Sequence, residues 1–299
     1  MGNNTSITEH KRHYYRELLC IGVPIIIGQL GTIILGFADT LMIGHHSTEE
    51  LAAAGLVNNI ITFILVSYMG FSYGLTPIIG KLYGMEKTDK IGQKVKNSFF
   101  ANMVVGVIFS LALIILYFNL HRIGQPEELL ALIRPYFIVN LISVLFVGVF
   151  NTLKQFLDRI GNTKVAMWVM IMGNIVNIFG NWVLIYGVGP CPEMGLLGAG
   201  ISTLASRVLM AVAMVGIIAG TKEYREYRNN IIASRINGAD FREMNRLGWP
   251  VALQLALESG AFTLSCVMVG WLGTIPLAAH QVMITISQLF YLVLSGMAA

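Results

Sequence analysis

Eight predominantly apolar runs, near 18–44, 51–80, 97–118, 128–153, 164–187, 195–219, 244–270 and 277–299, take up most of this chain of 299 residues. A helix of about 20 such residues crosses the hydrocarbon core of a bilayer. In lipid only helices and closed barrels satisfy every backbone donor and acceptor. Charged residues are 12% of the sequence against 55% hydrophobic ones, about half the charge of ordinary soluble domains. The chain therefore reads as an all-α polytopic membrane protein. The first run follows the polar start "MGNNTSITEHKRHYYRE" and is too long for a cleaved signal, so it is expected to stay as a membrane anchor.

The basic residues orient the bundle. Lys11, Arg12 and Arg16 precede the first run, and Lys81, Lys87, Lys90, Lys94 and Lys96 flank the exit of the second. Lys154, Arg159 and Lys164 follow the fourth, and Lys222, Arg225, Arg228, Arg235, Arg242 and Arg246 follow the sixth. The opposite loops "GHHSTEE", "GVGPCPEMG" and "GWLGTIP" hold no Lys or Arg, and only Arg122 and Arg134 lie near that side. The positive-inside rule predicts a cytoplasmic N-terminus in the inner (plasma) membrane. This bias explains the basic pI of about 8.9 without a nucleic-acid partner. Cys20, Cys191 and Cys266 fall at separate levels, so no pairing or metal-site spacing is expected.

Displaced by 226 residues, the sequence meets itself without a gap. "YRELLCIGVP" (15–24) falls on "FREMNRLGWP" (241–250), Gly44 on Gly270, "LAA" at 51–53 on "LAA" at 277–279, and Gly70 on Gly296. Six runs separate the copies, so both cross in the same direction, a parallel repeat of the kind transporters use. The expected organisation is a six-helix lobe over 1–219, a cytoplasmic linker over 220–246, and the first two helices of a second lobe over 247–299. The second copy holds two of six helices, which predicts a whole of roughly 450 residues. Asp240 followed by Glu243 reads as a capping box before the seventh helix.

Ionisable groups within such runs are expensive and usually functional. Asp39 stands five residues before Gly44, roughly 7–8 Å below the outer end of its helix. In "GNIVNIFGNWVLIYG", Asn174, Asn177 and Asn181 share one helical face, with Asn181 at the depth of Asp39. Carboxylate and amide oxygens suit a hard cation such as sodium, by analogy with other oxygen sites, and equally a carboxyl that trades a proton. One asparagine alone would read as interhelical glue; three level with an acid favour a site. Glu258 falls near the bilayer midplane in the seventh run, either as functional charge or as the partner of Arg207 in the sixth. Gln29, Gln254, Gln281 and Gln288 line a cavity or bond between helices. "GFSYG" at 70–74 fits a nucleophile-elbow pattern, but it lies inside an apolar run, and its glycines read as close helix packing. No nucleotide or zinc fingerprint is present, so neither an enzyme nor an ATP-driven pump is expected.

Together "GFADTLMIG", "NIFGNWVLIYG" followed by "GLLGAGIST", Glu258, and "LAAHQ" resemble the multidrug and toxic compound extrusion (MATE) family, from about residue 15 onward. The resemblance implies twelve helices in two six-helix lobes that export small cationic, amphipathic organic compounds in exchange for sodium or protons. It implies no further cofactor, a monomer among membrane lipids, and a site that this chain carries only in part. By this resemblance Asp39 is the first-lobe acid, Asn177 and Asn181 the polar pair of the fifth helix, and Glu258 the acid of the seventh. An asparagine at 181 with a glutamate in the seventh helix resembles the NorM-like branch. A sodium ion would be held at Asp39, Asn177 and Asn181, and Gln281 would join Glu258 on the second-lobe side. A further second-lobe acid is expected in later helices that this chain lacks. A flippase for lipid-linked saccharides can share the helix plan but would line its cavity with several Arg and Lys, where Arg207 stands alone.

Overall fold

A computed structural model describes residues 3–123 and 127–270, with Met283, Ser287 and Phe290 beyond them. Its elements are helices: α1 (Asn3–His46), α2 (Thr48–Tyr73), α3 (Leu75–Gly84), α4 (Thr88–Phe118), α5 (Glu127–Arg159), α6 (Thr163–Ile185), α7 (Gly195–Gly220), α8 (Arg225–Ala233) and α9 (Gly238–Gly270). Short 3-10 turns occupy Leu120–Ile123 and Lys222–Tyr224. Among the described residues six helical stretches are long and apolar enough to cross a membrane, and they coincide with the first six apolar runs. The seventh run forms α9; of the eighth only Met283, Ser287 and Phe290 are described, and Gln281 and Gln288 lie outside the described residues.

α1 is helical through the polar N-terminus, so its 44 residues reach about 66 Å, twice a hydrocarbon core of about 30 Å. Its outward face is apolar, with Phe37 65% exposed and Ile34 61% exposed. An apolar face in that position is what a lipid-facing helix carries. The inward face packs on α6, α2 and α7.

The centre of the bundle is fixed by small residues and a tyrosine. Tyr68 Oη occupies the space that a Cβ on Gly106 of α4 or Gly148 of α5 would take, and it donates to Asn102 O at 2.8 Å. The second run is broken where α2 gives way to α3 at Gly74. A Cβ there would stand 2.6 Å from Gly248 Cα of α9, and one on Gly70 2.9 Å from Ala252 Cα. The "GFSYG" glycines thus bring the α2 and α9 backbones together, as expected for membrane helices that associate by close packing.

The capping box at Asp240 is not formed. Asn237 Oδ1 accepts from Ala239 N at 3.0 Å and closes the start of α9 instead. Asp240, in the first turn of the helix, accepts from Lys94 Nζ and Gln93 Nε2, each at 2.7 Å. Lys94 also pairs with Glu243. A cation on α4 competes better for the carboxylate than a backbone N–H of the acid's own helix, because charge-assisted bonds are the stronger ones. At the opposite end Ser47 Oγ accepts from Glu49 N and Glu50 N and caps α2. His46 bridges Glu50 and Glu193, both at 2.8 Å, and joins the two loops on that face.

Candidate functional site

Three helices bring oxygen and amide groups to one point. α1 supplies Asp39, seven residues before its end at His46 and so about 10 Å below it. α6 supplies Asn177 and Asn181, which are fully buried and one turn apart. α7 supplies Ser202 and Thr203, two turns in from its Gly-rich start, where Gly198 lets α6 approach within 2.6 Å of the place a Cβ would take. Asn181 Nδ2 donates to Asp39 Oδ1 at 2.5 Å and lies 3.1 Å from Asn177 Oδ1. Asn177 Nδ2 stands 3.1 Å from Thr203 Oγ1, and Ser202 Oγ donates to Asn177 O at 2.7 Å. With the Asn177 amide turned over, its nitrogen donates to Asp39 Oδ1 at 3.0 Å and its oxygen accepts from Thr203. Asn181 Oδ1 is buried and finds no hydrogen-bond donor among the described residues.

Around this cluster lies a second layer that the spacing of the fourth run would have shown. Tyr136, Asn140 and Ser143 are four and three residues apart on α5, the pattern that marked the asparagines of α6. Tyr136 Oη donates to Asn58 Oδ1 of α2 at 3.0 Å. Ser143 Oγ donates to Asn140 O at 2.6 Å and accepts from Arg207 Nη1 at 2.5 Å. Arg207 stands four residues beyond Thr203 on α7, one turn further from the outer end than the cluster. Among the described residues it forms no ion pair with Glu258.

Asn174 does not join the cluster. Seven residues before Asn181, it is about 10 Å along the axis, and it lies against α1 where a Cβ on Gly31 would be 2.8 Å from its Nδ2. Glu258 is half-buried on α9, which packs mainly on α2, α4 and α3 rather than on the α1, α6 and α7 of the cluster. It precedes Ser259, which lines an open cavity of about 870 Å³ between α2, α4 and α9. Asn58, Asn59, Thr62 and Phe63 line the same cavity. Among the described residues no three His, Cys, Asp or Glu side chains converge as a metal centre would require.

Apolar spans enclosing a carboxylate and two buried amides define a multi-pass membrane protein with a polar site between its helices. The MatE family model matches residues 24–183 and 250–299. The chain belongs to the MatE family. It is 30% identical over 284 residues to a probable multidrug resistance protein NorM of Photorhabdus laumondii subsp. laumondii, covering 95% of this chain and 62% of that protein. The chain thus spans somewhat under two thirds of that relative's length. Its fold is similar to a solved MATE structure in complex with MaD3S, with a TM-score of 0.84 at 21% identity over 94% of this chain and 63% of that one. An outward-facing multidrug resistance MATE transporter of the MOP superfamily matches with a TM-score of 0.78 at 19% identity, covering 94% and 62%.

Proposed function

We propose that the protein is a secondary exporter of amphipathic organic cations, driven by exchange for sodium or protons, with Asp39, Asn177 and Asn181 as the seat of the coupling ion. The observation that carries this reading is the buried Asn181 Oδ1 left without a donor beside a carboxylate that accepts from the same amide. An unsatisfied buried oxygen costs about 1–3 kcal/mol, and a carboxylate in a membrane span costs more. A bound cation answers both, since hard cations are held by oxygens. A proton on Asp39 gives the cluster the donor it lacks.

The cavity between α2, α4 and α9 is the candidate route for the organic cation. Its size suits a small organic ligand, its walls are mixed apolar and amide, and among the described residues none that lines it is Lys or Arg. That lining favours an amphipathic cation over a pyrophosphate-linked saccharide. Glu258 supplies negative charge near it, and Gln281 is assigned the same side from the sequence alone. The NorM relative carries a name of multidrug resistance, which supports the same substrate class. The lobe over 1–219, linker over 220–246 and second-lobe helices over 247–299 are the moving bodies of an alternating-access cycle. The ion biases that cycle only through different affinity for its two states. The N-terminus is assigned to the cytoplasm from the charge bias.

The test is export of a fluorescent organic cation from cells producing the intact protein or its Asp39→Asn variant at matched levels. Loss of export above the empty-vector background in the variant is expected. Export at the unaltered rate would reject the assignment.

A further inference from the structure

The basic end of the bundle holds a second cavity, remote from Asp39. It has a volume of about 350 Å³ and lies between α4, α5, α7 and α8. Phe99, Leu153, Val215 and Ile218 stand on its walls, whose surface is apolar throughout; among the described residues Lys96 and Arg228 are the charged ones that line it, through their aliphatic stems. Both cations are half-buried. Neither has a carboxylate partner among the described residues, whereas Lys94 is paired with Asp240 and Glu243, and Lys154 with Asp158.

Free cations at a membrane surface normally snorkel into bulk headgroups. These two are held in place. Lys96 Nζ donates to Ser234 O at 2.7 Å and Ile232 O at 3.3 Å, and Arg228 Nη1 donates to Ala219 O. An ammonium offers three donors and a guanidinium five, so each keeps capacity for an anion. The wall that carries Arg228 is itself fixed. A Cβ on Gly92 of α4 would stand 2.6 Å from Asn230 Cβ of α8, and Tyr227 packs edge-on to Phe156 with centroids 5.4 Å apart. Lys96 is eight residues into α4, about 12 Å from its tip. That helix exceeds the hydrocarbon core by about 8 Å at each end, so Lys96 falls at the border between headgroups and acyl chains.

We propose that this cavity binds an anionic glycerophospholipid, with an acyl chain along its apolar walls and the phosphate between Lys96 and Arg228. Two fixed cations without counter-ions select a net negative headgroup, since each Lys or Arg at a leaflet surface attracts anionic lipid. A zwitterionic headgroup brings its own ammonium toward them and is disfavoured. The site requires only that the basic end of the bundle meets a lipid leaflet. It therefore stands or falls separately from cation export.

The experiment adds dioleoyl phosphatidylglycerol or dioleoyl phosphatidylcholine to the intact protein in detergent and counts retained lipid by native mass spectrometry. Retention of phosphatidylglycerol at roughly thirtyfold lower concentration is expected, the ratio that two surface cations give. Lys96→Gln with Arg228→Gln should reduce it to the phosphatidylcholine level, with Arg228→Gln alone read if the pair disturbs folding. Val215→Trp, placed on the lipid-exposed wall, should weaken retention of both lipids, and Lys222→Gln neither. Equal retention of the two lipids would overturn the proposal. So would a preference that survives in the charge variants, or displacement of phosphatidylglycerol by equimolar inorganic phosphate, which has no acyl chain.

Discussion

Asp39 and its neighbours make a prediction that separates two asparagines of the same helix face. Asn181 touches the carboxylate and carries the orphaned oxygen; Asn174 lies two turns away against Gly31. Asn181→Ala should therefore lower ion-driven export by tenfold or more, on the order of one lost charge-assisted hydrogen bond of about 1.5–3 kcal/mol. Asn174→Ala should leave export within about twofold, both read as initial efflux rates at matched expression. The face shared by Asn174, Asn177 and Asn181 was legible from their spacing, because helical period fixes direction. Which of the three meets Asp39 was not, because that depends on how far α1 slides along α6. Arg207 illustrates the same limit. Its depth alone allowed Glu258 as a partner, and the rotation of α7, which sequence does not carry, turns it toward Ser143 of α5.

The joint between α2 and α9 is the element on which any relative movement of the two must act. Gly74 and Gly248 bring the backbones into direct contact, so a side chain at either position forces the helices apart. Gly74→Leu should lower the thermal unfolding midpoint in detergent by an amount corresponding to about 1–3 kcal/mol, the usual cost of overpacking. Gly216→Ala, where a Cβ would meet nothing within 4 Å, should be neutral or raise stability by up to about 1 kcal/mol through helix propensity. The glycines at 70 and 74 could be read in advance as packing residues, since a catalytic turn has no place inside an apolar run. Their partner on α9 could not, because contact between helices far apart in sequence is set by tertiary packing. The capping box failed for a similar reason. Asp240 had an alternative partner, Lys94, that only the fold brings near.

At the scale of the molecule, the first six spanning helices and the membrane character follow from hydropathy alone among the described residues, since lipid leaves few architectures open. The charge bias adds an orientation that labelling can test. Cys191 is free and half-exposed in the loop between α6 and α7, on the face assigned to the cell exterior. With Cys20 and Cys266 replaced by serine, a membrane-impermeant maleimide should label Cys191 in intact cells. Labelling only after lysis would reverse the assigned topology. The central claim, that the Asp39 cluster is where an ion is exchanged for substrate, is tested most directly in proteoliposomes of the intact protein. Substrate movement would be followed against an imposed sodium gradient and, separately, an imposed proton gradient. At least one gradient should drive exchange in the unaltered protein, and neither should in Asp39→Asn, although that variant still binds the organic cation. Gradient-driven exchange in Asp39→Asn at the unaltered rate would contradict the claim.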